Sequence, residues 1–196
     1  MPLKYIAKVR KKSDICKFLS DYFQNKCKTS YPLTQLPTYD INFFDMTDPK
    51  TQLTPHFTLQ EMTRSNSHPE IYNVPPPAYV ENLRRVCQWL EQLRLRYNQL
   101  YGCGKEWPIV INSGYRSEKL NRAVRGASDS NHLTGCAADL RCAGLRQALR
   151  YACLLMDYSD RKDYDEIIIE RKYQRYWLHF AVRPEGNRGK VMVITK

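Results

Sequence analysis

Residues 130–139 read SNHLTGCAAD, a stretch typical of a tight turn that leads into a strand. His132 and Asp139 offer an imidazole and a carboxylate, and both groups bind a borderline metal ion such as zinc. Gly135 and the small residues after it let the backbone bend and pack closely before Asp139 is presented. The alternative is structural: His132 caps a loop and Asp139 ends a strand. Spacing alone does not separate these two interpretations.

A third ligand must come from elsewhere, and the chain has four histidines in all. His179 is the best placed, because residues 176–180, YWLHF, alternate like a strand that is buried on one face. His56 and His68 lie in loop-like sequence flanked by prolines. Two histidines and one carboxylate would form an open catalytic site that keeps a position for water, rather than a closed structural site.

Several other stretches follow in an order that matches a known family. They are FTLQEM at 57–62, SGYRS at 113–117, YDEIIIE at 164–170 and WLH at 177–179. Together with residues 130–139, they resemble the zinc D-Ala-D-Ala metallopeptidases, the peptidase M15 family, and especially its phage and bacterial carboxypeptidase branch. The resemblance extends from about Pro55 to about Arg188.

The resemblance implies an α+β fold of the hedgehog and DD-peptidase type, with helices packed on a small, mostly antiparallel sheet. The order of predicted helices and strands agrees with this class. It also implies a zinc-dependent DD-peptidase that hydrolyses D-Ala bonds in peptidoglycan stem peptides. Neither the choice between carboxypeptidase and cross-link endopeptidase nor the oligomeric state follows from the sequence.

The resemblance also assigns roles to individual residues. Zn²⁺ would be held by His132, Asp139 and His179. Arg116, in the SGYRS stretch, would face the substrate carbonyl as it becomes an oxyanion, where a fixed guanidinium lowers the barrier. The alternative for Arg116 is a surface ion pair. Ser130 matches a position that helps to hold the substrate terminus.

Hydrolysis further requires a general base. Some family members place an acidic residue three positions before the last histidine, where this chain has Tyr176. The branch most similar to this chain has an acidic residue at the end of the preceding strand, and here that residue is Glu170. We therefore expect Glu170 to be the base, provided that the hairpin is in register. Asp165 and Glu166 are the alternatives, and Asp165 is equally suited to orienting a ligand histidine.

Other side chains near these stretches have simpler interpretations. Tyr115 and Trp177 are candidates for lining a substrate pocket, although aromatic residues beside strands more often pack in the core. Cys136 and Cys142 flank Asp139, but strand alternation places them on the opposite face, so we interpret them as small buried thiols.

Bulk composition limits the partners and the compartment. The chain has 31 basic and 20 acidic residues, a net charge of +11, which favours an anionic partner such as nucleic acid, a membrane surface or a wall polymer. A nucleic-acid-binding protein would leave the metal-ligand pattern unexplained, so no specific nucleic acid is expected. Seven cysteines exclude a complete disulfide framework. Residues 1–12 lack the apolar core of a signal peptide, and no apolar run would insert in a membrane.

These features predict synthesis in the cytoplasm and action on the cell wall after lysis or release. We divide the chain into an N-terminal extension, residues 1–54, with a short amphipathic helix near 13–26, and a catalytic domain, residues 55–196. A rival hypothesis is a catalytically impaired, metal-stabilised module that binds the wall or a partner protein, since a fold does not determine function.

Periodicity and turn signals predict the elements of the domain. The helices are expected from Thr58, over 79–102, over 117–125 and over 145–156. The strands are expected at 107–112, 136–142, 166–170, 176–182 and 191–195.

Overall fold

The computed structural model describes residues 48–160 and 163–195. Its elements in chain order are β1 (Gln52–Thr54), β2 (Phe57–Thr58), α1 (Leu59–Thr63), α2 (Pro77–Tyr101), β3 (Ile111–Ser113), α3 (Glu118–Ala123), a 3-10 helix (Asn131–Thr134), β4 (Ala137–Cys142), α4 (Leu145–Tyr158), β5 (Glu166–Lys172), β6 (Arg175–Ala181) and β7 (Lys190–Thr195). The helix predicted near 13–26 lies outside the described residues. The division of the chain at residue 54 stays a prediction.

The main sheet has five strands in the order β3-β4-β6-β5-β7. The β3–β4, β4–β6 and β6–β5 pairs are antiparallel, whereas β7 runs parallel to β5. The sheet is therefore mixed but mostly antiparallel, and the α+β class predicted from the sequence is confirmed. β5 and β6 form the predicted hairpin, which turns at residues 173 and 174.

The two faces of the sheet differ because successive side chains along a strand point to opposite sides. One face is apolar and fully buried, and it packs against α2 and α4. Its central residues are Leu140 from β4, Ile167 from β5, and Leu178 and Phe180 from β6. The other face carries polar residues, among them Asp139 and His179. Helices thus cover one side of the sheet and leave the other available for a site.

The long helix α2 matches the predicted range 79–102 closely, but it begins two residues earlier, at Pro77, which the sequence indicated as part of a stop. Pro77 occupies its first turn, where a missing N–H costs nothing, and the N–H of Gly102 bonds to Asn98 O at 2.8 Å to end it. Its apolar stripe, which includes Val80, Leu83, Val86, Leu90 and Leu93, is buried. No helix among the described residues combines the length and the apolar character needed to span a membrane.

A short connection near α1 helps to position the loop after β3. Thr58 and Glu61 form the predicted capping box at the start of α1. The N–H of Tyr115 donates to Met62 O at 2.7 Å, which ties this loop to α1. Gly114 lies so close to α1 that a Cβ atom there would come within 2.3 Å of Met62 O. Only glycine fits at this approach.

Two predicted elements are shorter in the structure. In place of the strand expected at 107–112, the structure has the three-residue strand Ile111–Ser113. The first residue of the expected strand, Trp107, instead exchanges hydrogen bonds with the side chain of Asn98, at 2.8 and 3.1 Å, and the next residue is proline, which cannot donate to a sheet. Helix α3 stops at Ala123 because Arg125 adopts a left-handed conformation with φ of 57°.

Replacing Gly114 by alanine should lower the free energy of unfolding by about 1–3 kcal/mol, because the new methyl group would push α1 away from the loop. Gly144→Ala is the matched control: a Cβ atom at Gly144 meets nothing within 4 Å, so a change within about 0.5 kcal/mol is expected. Urea denaturation followed by circular dichroism measures both. Equal stability of the two variants would contradict the close approach described for Gly114.

Candidate metal centre

The structure brings together the three predicted ligand residues from three separate elements. His132 lies in the 3-10 helix, Asp139 in β4 and His179 in β6. One ligand atom from each lies within 4.8 Å of the others, and all three residues are buried. Asp139 and His179 are direct cross-strand partners, so their side chains share one face of the sheet. This is a group that could hold a metal ion.

The local sequence explains how His132 reaches the site. The Ser130 hydroxyl caps the 3-10 helix by accepting from the N–H of His132, at 3.4 Å. Gly135 ends the helix with φ of 72°, a left-handed conformation that glycine adopts without strain. The chain then turns directly into β4, which carries Asp139. The short turn-and-strand unit expected from residues 130–139 is therefore present.

The tautomer of His132 follows from its neighbours. Its Nδ1 lies 2.6 Å from Gly114 O, and because a carbonyl can only accept, Nδ1 must carry the proton. Burial lowers the pKa of His132 despite the nearby Asp139 carboxylate, so the ring is neutral near pH 7. Its Nε2 therefore directs a lone pair at Asp139 Oδ1, 3.3 Å away. Two acceptor atoms facing each other in a buried site favour a cation between them.

His179 is held by a carboxylate on each side of its ring. Nδ1 lies 2.9 Å from Asp139 Oδ1, and Nε2 lies 3.4 Å from Glu166 Oε2. Burial opposes protonation of His179, but the hydrogen bonds to Asp139 and Glu166 outweigh it and raise the pKa to about 9. If Nε2 donates to Glu166, Nδ1 is the atom that is available to a metal ion. A histidine oriented by a carboxylate in this way is common around metal sites.

The donor set fits a metal ion in chemistry as well as in position. Burial alone would raise the pKa of Asp139, but His132 and His179 together hold it well below its usual range, so the carboxylate is ionised. One ionised carboxylate and two imidazoles, one of them already neutral, are the ligands found in open catalytic sites of zinc and related ions. The described residues near the site also include Cys136 and Cys142, but neither belongs to this group.

Arg116 lies directly beside the group. Its Nη2 donates to Asp139 Oδ2 at 2.5 Å, and its Nε donates to Ser113 Oγ at 2.8 Å. Ser113 is in turn the cross-strand partner of Asp139. The guanidinium is therefore fixed at two points. Its ion pair with Asp139 is mostly buried, unlike the surface ion pair that was the alternative interpretation of Arg116. The remaining N–H groups of the guanidinium can donate to a ligand at the site.

The three acidic candidates on β5 or at its entry differ sharply in their surroundings. Asp165 is fully buried and forms ion pairs with Arg183 at 3.1 Å and with Arg188 at 2.7 Å. These pairs and a hydrogen bond from Asn131, at 2.8 Å, hold the carboxylate in place and also steady the residue that precedes His132. The position of Asp165 is that of a structural anchor.

Glu166 has a different set of partners. It contacts His179, and its other oxygen forms ion pairs with Arg188 at 3.0 Å and with Lys190 at 3.3 Å. The hydrogen bond to His179 is the largest reason why the pKa of Glu166 falls to about 2. This carboxylate therefore orients a ligand histidine.

Glu170 lies on the same sheet face as His179. The hairpin pairs Glu170 with Trp177 and Ile168 with His179. Glu170 therefore lies two residues along β5 from the residue directly opposite His179. Tyr176 pairs with Arg171 and Cys142 and so points to the opposite face. An acidic residue at position 176 of this strand would not face the site. Trp177 shares the face of His179.

The remaining predicted contacts are peripheral to the metal group. Ser130 is half-buried at the entry to the 3-10 helix. Tyr115 is buried, and its ring centroid lies 6.3 Å from that of Tyr79, a packing contact. Burial is also the main reason why the pKa of Tyr115 is raised.

Sequence reasoning missed the support around the ligands. The contact of the Gly114 carbonyl with His132 was not predicted, and Glu166 was predicted only as an alternative base. Strand alternation was the available signal for Glu166, because residues 166, 168 and 170 share one face once the hairpin register is known. No sequence pattern pointed to Arg183 or Arg188.

Comparison with known families agrees with the geometry. A family model described as Peptidase M15 matches residues 55–173, more than half of the chain. The matched range includes Arg116, His132 and Asp139, but it ends before His179, which the structure adds through the pairing of β4 with β6. Among curated proteins, none matches this chain.

Metal binding should depend steeply on pH between 7 and 9. His179 must lose its proton to bind a cation through Nδ1, and its pKa of about 9 means that the proton is present at pH 7. His132 is already neutral, so about one proton should leave per ion bound. The apparent affinity should rise about tenfold per pH unit up to about pH 9 and then level off.

Calorimetry with Zn²⁺ as the probe, in buffers of different ionisation enthalpy, counts the released protons. His56→Gln is the control, because His56 pairs with Glu91 and does not belong to the metal group. His179→Gln should lose most of the affinity. An affinity that is flat between pH 7 and 9 would contradict the proposed ligand atom of His179.

Proposed function

The chain belongs to the peptidase M15 family, and from that premise we propose that it is a zinc-dependent DD-peptidase with a fold of the hedgehog and DD-peptidase type. Its substrate would be the peptidoglycan stem peptide, cut at a D-Ala linkage. The observation that carries the proposal is the group His132, Asp139 and His179, gathered on the sheet face that α2 and α4 leave uncovered.

A bound zinc ion would polarise the scissile carbonyl and lower the pKa of a bound water molecule towards about 7. The protein contributes three fixed ligands. His132 is oriented by Gly114 O, at 2.6 Å, and His179 by Glu166, at 3.4 Å. Because these contacts set the ring orientations in advance, little reorganisation is needed on binding.

We assign the general base to Glu170. It shares the sheet face of His179 and is one of the few buried acidic residues of the described chain. Asp165 anchors the site through ion pairs with Arg183 and Arg188, and Glu166 contacts the ring of His179, so these two carboxylates have positioning roles around the ligands. Glu170 would take the proton of the attacking water and transfer it to the leaving amine.

Arg116 is proposed to stabilise the negative charge that develops on the carbonyl oxygen. Its guanidinium is anchored by Ser113 and Asp139, so it is held next to the metal ligands without reorganisation during the reaction. Ser130 and Trp177 would contact the substrate at the edges of the site, while Tyr115 supports the loop that carries Arg116. The net charge of +11 suits an anionic wall polymer.

Glu170→Gln should reduce hydrolysis by about a hundredfold to ten-thousandfold, because the amide keeps the shape of the side chain but cannot accept a proton. Mass spectrometry of muropeptides after incubation with zinc-loaded protein measures the rate and identifies the bond cut. Glu118→Gln removes one carboxylate from an exposed position on α3 and should leave the rate unchanged.

Metal analysis of each variant accompanies this assay. Retained hydrolysis by Glu170→Gln would eliminate Glu170 as the base. A wild-type protein that holds zinc but cleaves no muropeptide would overturn the hydrolase proposal and favour the non-catalytic module. A shorter product that has lost one terminal D-Ala indicates a carboxypeptidase, and a separated cross-link indicates an endopeptidase.

A further inference from the structure

A pocket of about 360 Å³ is lined in part by Arg116, which also donates to the ligand residue Asp139. Its walls are the loop at residues 65–67, the end of β3, one side of α3 and the first residue of β6. The volume is that of a small-molecule site, large enough for one or two amino acid residues. None of the predicted site residues except Arg116 lines it.

The charged residues that line the pocket are all basic. Arg116 and Arg175 both line it, and none of its lining residues is acidic. Arg116 already shares its guanidinium with Asp139, but Arg175 forms no ion pair with any residue that the structure describes. Arg175 is therefore a cation that lines a concave surface without a counterion among the described residues, an arrangement that attracts an anionic group.

The other lining residues favour a peptide over a simple inorganic anion. Ser65, Ser67, Asn66 and Asn112 supply hydroxyl and amide groups that can pair with peptide N–H and C=O groups. The α3 side contributes apolar contact from Leu120 and Val124, which suits small aliphatic side chains.

The pocket is continuous with the metal group through two residues. Arg116 lines the pocket and also donates to Asp139 Oδ2, and Ser113 lines the pocket and pairs with Asp139 across β3 and β4. Strand alternation places Arg175 on the same sheet face as Trp177 and His179. A peptide with its scissile carbonyl at Arg116 can thus extend directly into the pocket.

We propose that this pocket is a substrate subsite that binds a carboxylate of the peptide, and that Arg175 is the residue that selects for the charge. The inference rests on the proposed peptidase function and adds the class of substrate: a peptide with a free carboxylate close to the bond that is cut. That carboxylate is either the C-terminus or an acidic side chain within the stem peptide.

Three synthetic peptides ending in D-Ala-D-Ala test the proposal. The first has a free C-terminus and an internal D-glutamate with a free carboxylate, the second has an amidated C-terminus, and the third has an amidated internal carboxylate. Calorimetry measures their binding to the metal-free protein, where no hydrolysis is expected. Steady-state kinetics with the zinc-loaded protein gives kcat and KM separately.

Arg175→Met should weaken binding of the first peptide by about tenfold and raise KM by a similar factor, with little change in kcat, because a charge-assisted hydrogen bond is lost from the bound state. Arg175→Lys should recover part of the affinity. Arg171→Met is the matched control, since Arg171 is on the same hairpin but on the opposite sheet face, and its Cζ lies 5.8 Å from the Tyr176 ring.

With one of the two amidated peptides, the wild type and Arg175→Met should bind with equal affinity. The carboxylate that is amidated in that peptide is the one that the pocket binds. Equal effects of Arg175→Met and Arg171→Met, or a dependence on Arg175 that neither amidation removes, would overturn the subsite. Charge-selective binding without any cleavage by the zinc-loaded wild type would refute the peptidase function but keep the binding site. Cleavage with an unchanged KM in Arg175→Met would refute the subsite alone.

Discussion

The pairing of Asp139 with His179 across β4 and β6 is the constraint on which the site depends. A shift of one residue would pair Asp139 with Leu178 or Phe180, whose side chains point to the other face. That shift is prevented by the core, because Leu140, Leu178 and Phe180 must all be buried against the helices. The hydrophobic face therefore sets the register, and the register brings the carboxylate and the imidazole together on the face opposite α2 and α4.

Charge is concentrated around this pair in alternating layers. Asp139 is surrounded by His132, His179 and Arg116, and His179 is followed by Glu166, which Arg188 and Lys190 neutralise in turn. Removing so many charged groups from water is costly, and apolar side chains of similar size would often be as stable or more so. The arrangement is better explained by the need to hold a cation and a polar substrate. The residues of the metal group thus depend on the fold for their position.

The sequence by itself determined the class and order of the elements. The repeat of apolar residues over α2 predicted a helix that the structure bounds at Pro77–Tyr101, and alternation predicted β4, β5 and β6 within a few residues. The sequence also predicted the ligands His132 and Asp139, because they lie close together on one turn and strand. Local signals failed at Trp107, which bonds to the Asn98 side chain so that β3 begins late, and at Arg125, whose left-handed conformation ends α3 early.

Only the tertiary structure decided which groups surround the ligands. The carbonyl of Gly114 reaches His132 because glycine allows the loop to approach α1, and Glu166 reaches His179 because the hairpin pairs residue 168 with 179. The pocket that contains Arg175 combines residues from three separate parts of the chain, 65–67, 112–124 and 175. Periodicity reports which face of an element is buried, but it contains no information on which elements meet. Contacts between remote segments arise only when the core closes and fixes their register.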